Sequence, residues 1–161
     1  MPIALTITLL LMQSLLLTAR VLTRRLPWEK YARRATWIDV ALIAVGAVGL
    51  GLHCVAMFYR GFLAALPATG GYINAVNAMG SASVALFVVP AALVVVGLRR
   101  QQPVAVAIVA VTLIGVGVTM YGGSPLSIHL VMIAAATTAI ATTAVLLVRL
   151  PPPRRRPTAT T

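Results

Sequence analysis

The two histidines of this chain are the residues best suited to bind a metal ion or a cofactor. His53 and His129 are the only histidines, and each lies in a different apolar stretch. His53 lies about 10 Å before the end of its stretch at Arg60, and His129 lies about 6 Å after Pro125, where its own stretch begins. Antiparallel helices would therefore place both imidazoles at similar depth. Two such imidazoles on separate helices could ligate the iron of haem b axially.

Three methionines suggest a different metal for the same site. Met57, Met120 and Met132 fall in the same half of the predicted bundle as the histidines. Because imidazole and thioether ligands together suit Cu(I), the set predicts a copper site as the alternative to haem b. Arg60 ends the stretch that contains His53. It is expected either to pair with a haem propionate or an anionic substrate, or to extend towards lipid headgroups.

The same residue types also have a purely structural interpretation. Histidine in a membrane bundle can hydrogen-bond to a neighbouring helix, and methionine fills irregular gaps between helices. Asp39 fits a capping box, because Thr36 precedes it by three residues at the start of an apolar stretch. An acid in a membrane helix can also carry protons. Cys54 lies about 100° around the helix from His53 and is expected to pack as a small apolar residue.

The composition indicates that most of the chain lies in lipid. Of its 161 residues, 60% are hydrophobic and 9% are charged, whereas a soluble domain carries about 25% charged residues. Mean hydropathy is +1.00. Because about 20 apolar residues cross a bilayer as a helix, we expect an all-α transmembrane bundle of five spans, at residues 2–19, 37–60, 72–98, 103–121 and 126–149. Residues 151–161 are basic and proline-rich, and they are expected to form a disordered cytoplasmic tail.

Positive charge predicts the orientation of these spans. Segments 20–36, 99–102 and 149–156 hold 12 of the 13 Lys and Arg residues, and segments 61–79 and 122–125 hold none. Since basic loops stay in the cytoplasm, five spans put the N-terminus outside and the C-terminus inside. The net charge of +11 is therefore expected to attract anionic lipid headgroups, above all at Arg20–Arg34, rather than nucleic acid.

Two of the predicted spans carry a stripe that should face other helices, because lipid offers polar groups no partners. In span 37–60, small and polar residues share an arc of about 80°: Asp39, Leu42, Gly46, Gly49, His53, Met57 and Arg60. In span 126–149 the equivalent face carries His129, Met132, Ala136, Ala139 and Thr143. Span 72–98 contains Pro90, which should kink it.

Reactive chemistry is sparse in this sequence. It contains no P-loop, GxSxG, HExxH or CxxC motif. We therefore expect a non-enzymatic integral protein of a bacterial-type plasma membrane, serving as an accessory, assembly or interaction component. The alternative is a haem- or copper-binding redox or metal-handling protein that uses His53 and His129. A small transporter is the third interpretation, although transporters usually show paired intramembrane charges or internal repeats.

Overall fold

The computed structural model describes residues 31–149, together with Ile7, Leu11, Ser14 and Thr18, which are helical. Apart from those four residues, the predicted span 2–19 lies outside the described residues, and so do most of the basic segment Arg20–Arg34 and the expected tail 151–161. The described part is mostly helical, as the sequence predicts.

Six α-helices form the described bundle. They are α1 (Trp37–Phe58), α2 (Arg60–Ala64), α3 (Gly70–Asn77), α4 (Ser81–Gly97), α5 (Pro103–Tyr121) and α6 (Leu126–Thr142), and α6 continues as a π-helical turn, Thr143–Leu147. Within residues 31–149, three helical stretches are long and apolar enough to cross a membrane, namely α1, α5 and Leu126–Leu147. A fourth is added if α3 and α4 cross together as one bent span.

The helix expected over residues 72–98 is not continuous, because the structure divides it into α3 and α4. The axes of the two helices differ by 99°. The break lies at residues 78–80, where Met79 has a left-handed backbone with φ of 52° and Gly80 precedes the first turn of α4. A left-handed residue cannot continue an α-helix. By contrast, α4 continues through Pro90, so the sharp bend lies well before the proline that was expected to cause it.

Polar side chains beside this break bind carbonyl groups of α1 and α3. The Asn77 amide donates to the Ile73 carbonyl at 2.8 Å and to the Ala56 carbonyl at 3.2 Å. The Ser83 hydroxyl donates to the Val76 carbonyl at 2.9 Å. The Asn77 bond to Ala56 also ties α3 to the last turns of α1. The bend is therefore a hydrogen-bonded feature of the fold.

A capping box begins α1, as the sequence predicts. The Asp39 amide donates to the Thr36 hydroxyl at 3.2 Å, and the Thr36 amide donates to the Asp39 carboxylate at 2.9 Å. The Thr36 hydroxyl lies 2.7 Å from the same carboxylate. Two amides that a helix start leaves free are thus satisfied reciprocally. This fixes where α1 begins and which of its faces turns inward.

The most extensive helix contact joins α1 and α4, which run antiparallel. Glycine permits it, because a Cβ atom at Gly46 would lie 2.6 Å from the Pro90 carbonyl oxygen and 2.7 Å from Val94 Cγ2. From the other side, a Cβ atom at Gly97 would lie 2.7 Å from Ile43 Cγ1. Close backbone approach through small residues is the usual chemistry of membrane helix pairs. We call this contact the α1–α4 seam.

The inward stripes expected for the two spans are confirmed at their central residues. On α1, Asp39, Gly46 and His53 are buried, whereas Arg60 is exposed on α2. On the last helix the buried residues are His129, Ala136 and Thr143. That helix packs against α5, where the end of the Met132 side chain fills the space beside Gly115.

The described basic segments meet at one end of the bundle. Strand β1 (Arg33–Arg34) pairs in parallel with strand β2 (Val148–Arg149), which follows the π-helical turn. The Gln101 amide donates to the Arg33 carbonyl at 3.4 Å, and both Arg99 and Arg100 pair with Asp39. Of the six arginines between residues 31 and 149, only Arg60 follows α1 and belongs to the opposite end. We call the first end the basic end.

The seam makes a prediction with a matched control in the same helix. Replacing Gly46 with Ala should destabilise the protein by about 1–3 kcal/mol through overpacking. Gly51→Ala should be neutral or stabilising by up to about 1 kcal/mol, because a Cβ atom at Gly51 meets nothing within 4 Å. Thermal unfolding of both variants in one detergent measures the difference. Equal unfolding midpoints for the two variants would contradict the close backbone contact at the α1–α4 seam.

Candidate functional site

His53 is buried on the inward face of α1 without a hydrogen-bond partner. Its side chain is 2% exposed, and its ring meets the edge of Phe87 on α4 at 5.8 Å between centroids, with 62° between the planes. Within residues 31–149, neither Nδ1 nor Nε2 of this imidazole has a hydrogen-bond partner. A buried polar group left unsatisfied costs about 1–3 kcal/mol. Among residues 31–149, His53 therefore contacts its neighbours only by packing.

His129 is buried near the start of α6, and only one of its ring nitrogens is engaged. Nδ1 lies 2.9 Å from the Thr119 hydroxyl of α5. The same hydroxyl lies 2.9 Å from the Gly115 carbonyl and 3.0 Å from the Val116 carbonyl, both of which can only accept. Since a hydroxyl has one proton, it donates to the backbone and accepts from Nδ1–H. This assigns the free lone pair of His129 to Nε2, which has no partner among the described residues.

A chain of contacts joins the two histidines across the bundle. The Phe87 ring that touches His53 also packs against Gly117 of α5, where an added Cβ atom would lie 3.2 Å from its Cε1 atom. From α1, Phe58 reaches the His129 ring at 6.2 Å between centroids. Gly117 and Thr119, which contact Phe87 and His129 respectively, are two residues apart on α5. The helices α1, α4, α5 and α6 thus bring both rings into one region, which we call the histidine region.

The three methionines predicted as metal ligands lie in the hydrophobic core that contains Phe87. Met120 is buried, and Met57 and Met132 pack against the same core. Met57 follows His53 by one helical turn, so the two side chains are neighbours on α1. Met132 instead extends towards Gly115, which is one turn before Thr119 on α5. Met57 is therefore better placed than Met132 to reach a group bound to the histidines.

Arg60 and Cys54 differ from the two histidines in burial, because neither is fully buried. Arg60 is the first residue of α2 and is exposed, so it is available to solvent or headgroups at the end of the bundle. Cys54 is half-buried and lies within electrostatic range of Tyr72 on α3. Among the described residues, no three His, Cys, Asp or Glu side chains come together. Any metal site in the histidine region would therefore depend on two imidazoles and on thioether groups.

Asp39, the one acid in the described residues, belongs to the basic end. Its side chain is fully buried, and its carboxylate lies 3.3 Å from an Arg99 nitrogen and 3.2 Å from an Arg100 nitrogen. The two arginine side chains are half-exposed. The Thr36 cap and Arg100 engage Oδ2, while Oδ1 has an ion pair with Arg99 but no hydrogen bond among the described residues. The reciprocal bonds with Thr36 favour the capping interpretation of Asp39. They also fasten the start of α1 to the end of α4.

Several residues that shape the histidine region carry little sequence signal. Phe58 and Phe87 are ordinary apolar residues of membrane helices, and nothing in their spacing indicates contact with histidine. The inward position of Thr119 could be predicted from the sequence, because Thr119 shares an inward face with Gly115. Ser83 bonds to Tyr121 at 3.1 Å and joins α4 to α5 at the same end of the bundle. Its partner could not be deduced without the break before α4.

Neither a protein-family model nor a curated protein nor a solved structure matches this chain. The chemistry of the histidine region has to be argued from its groups. It presents three unpartnered ring nitrogens in apolar surroundings, with thioethers nearby. Such a set can accept a hydrogen bond, donate one, or bind a soft metal ion.

Proposed function

We propose that this chain is a five-span integral protein of a bacterial-type plasma membrane, and that it acts by binding a ligand at His53 and His129 rather than by catalysis. The observation that carries the proposal is that three of the four ring nitrogens are buried without a partner in the described residues. Polar groups inside membrane bundles are costly and usually functional. Because imidazoles and thioethers are metal ligands, we propose a redox or metal-handling role.

The distribution of charge supports the proposed orientation. Five of the six arginines between residues 31 and 149 belong to the basic end, which would face the cytoplasm by the positive-inside rule. Strand β2, after which residues 150–161 follow in sequence, lies at this end, whereas the N-terminus would lie outside if residues 2–19 form a further span. The histidine region would then lie near the outer surface. A ligand could reach it without crossing the whole bilayer.

An accessory or assembly role is the second candidate, and a face of α1 supports it. Ala44, Ala47 and Gly51 are exposed on one side of that helix, and the position of a Cβ atom at Gly51 is open. Small residues let another membrane helix approach closely. A partner subunit with small residues of its own fits this face. The two roles are compatible, since the face lies away from the α1–α4 seam.

The third interpretation of the sequence, a small transporter, stays a prediction.

Cysteine labelling tests the orientation. In a Cys54→Ala background, Ser124→Cys should react with a membrane-impermeant maleimide in intact cells, because the α5–α6 turn would be outside. Gln102→Cys should react only after permeabilisation, because it lies at the basic end. The reverse pattern would contradict the proposed orientation. Labelling of both positions in permeabilised cells controls for expression and reactivity.

The composition of protein purified from its native membrane tests the binding role. Elemental analysis and an absorption spectrum of the wild type should reveal a bound metal or a haem Soret band. The bound group should be lost in His53→Leu and in His129→Leu. Met79→Leu is the matched control, because Met79 is 41% exposed and outside the histidine region. A colourless, metal-free wild type would leave only the accessory role.

A further inference from the structure

The ligand of the histidine region can be named from the charge around it. The chain has two acidic residues, Glu29 and Asp39. Asp39 pairs with Arg99 and Arg100 at the basic end, and Glu29 belongs to the basic segment before α1. Among the described residues, the imidazoles and thioethers of the histidine region are neutral donors, and no acid lies beside them. Residues 31–149 therefore offer no negative charge to compensate a cation bound in this region.

An uncompensated charge in an apolar interior selects against divalent ions. The cost of burying an ion grows with the square of its charge in a Born description, so a divalent ion pays about four times as much as a monovalent one of similar size. Thioether ligands select soft metals and imidazole also binds copper, and among common biological metals Cu(I) is both soft and monovalent. Charge and ligand type thus lead to the same ion.

We propose that His53 and His129 bind one Cu(I) ion between α1 and α6, which deepens and rests on the binding role proposed above. His129 contributes Nε2, the nitrogen left free by the bond between Nδ1–H and Thr119. Fixing one ring nitrogen with a hydroxyl or carbonyl is how proteins orient histidine ligands towards metals. His53 contributes one of its two unpartnered nitrogens. No electron is transferred, because copper enters and stays as Cu(I).

A thioether completes the coordination, and Met57 is the methionine best placed to supply it. Met57 lies one turn after His53 on α1 and packs against the core that contains Phe87. Met120 is buried in that core as well, whereas Met132 extends towards Gly115. Met57→Leu should therefore weaken Cu(I) binding more than Met132→Leu does.

Haem fits the same residues less well than a single ion does. A porphyrin between the imidazoles would have to displace the Phe87 ring that touches His53 and the Phe58 ring that touches His129. Phe87 is also wedged against Gly117 of α5. A single ion is far smaller than a porphyrin, and its binding to His53 would break no hydrogen bond among the described residues.

Anaerobic titration of the full chain in detergent tests the proposal, with Cu(I) supplied as its coloured bicinchoninate complex. The wild type and Met79→Leu should each remove one equivalent of Cu(I) from the chelator. His53→Leu and His129→Leu should each lose about tenfold or more in affinity. Zn(II) should not compete. Unchanged Cu(I) affinity in both histidine variants, or equal binding of Zn(II), would overturn the assignment.

X-ray absorption at the copper edge of the Cu(I)-loaded wild type provides a readout that needs no variant. It should show scattering from two imidazole rings and one sulfur neighbour, and a spectrum without imidazole scattering would overturn the site. Protein purified from its native membrane distinguishes failure of the copper assignment from failure of the binding role. A histidine-dependent haem band without Cu(I) binding removes the copper assignment and keeps the binding role. A protein that carries no native ligand and binds no Cu(I) removes both.

Discussion

The close contact between α1 and α4 is the constraint on which the rest of the structure depends. Gly46 and Gly97 let the two backbones approach until a methyl group would clash, and Asp39 fastens the basic end through Arg99 and Arg100. Together these contacts fix the rotation of α1. That rotation places His53 against Phe87 instead of in lipid, so the histidine region is a consequence of the seam.

Several interior polar side chains of the described residues have hydrogen-bond partners, whereas Gln101 Oε1 has none, like three of the four histidine ring nitrogens. Ser83, Asn77 and Thr119 each bind backbone carbonyls, and Thr36 and Asp39 cap one another. His53 has no comparable partner in the described part of the chain. In an apolar interior a residue of this kind lowers stability. The ligand that we propose would explain its presence, because packing alone would be served equally well by leucine.

Much of this arrangement could be predicted from sequence, because periodicity and local chemistry determine it. The inward stripe of α1, the Thr36–Asp39 cap and the gathering of basic segments at one end follow from residue spacing and charge. The bend before α4 could not be predicted, since it depends on a left-handed methionine stabilised by Asn77 and Ser83. The unpartnered state of His53 depends likewise on which side chains of α4 and α5 reach it, and helical periodicity does not contain that information.

The stability of the metal-free protein tests most directly whether His53 is kept for binding. Two unsatisfied nitrogens cost about 1–3 kcal/mol each, which exceeds the roughly 0.5–1.5 kcal/mol of an aromatic contact such as that with Phe87. Metal-free His53→Leu should therefore unfold at a higher temperature than the metal-free wild type. Adding Cu(I) should raise the unfolding temperature of the wild type only. A lower midpoint for the metal-free variant would contradict the account, because His53 would then stabilise the fold without any ligand.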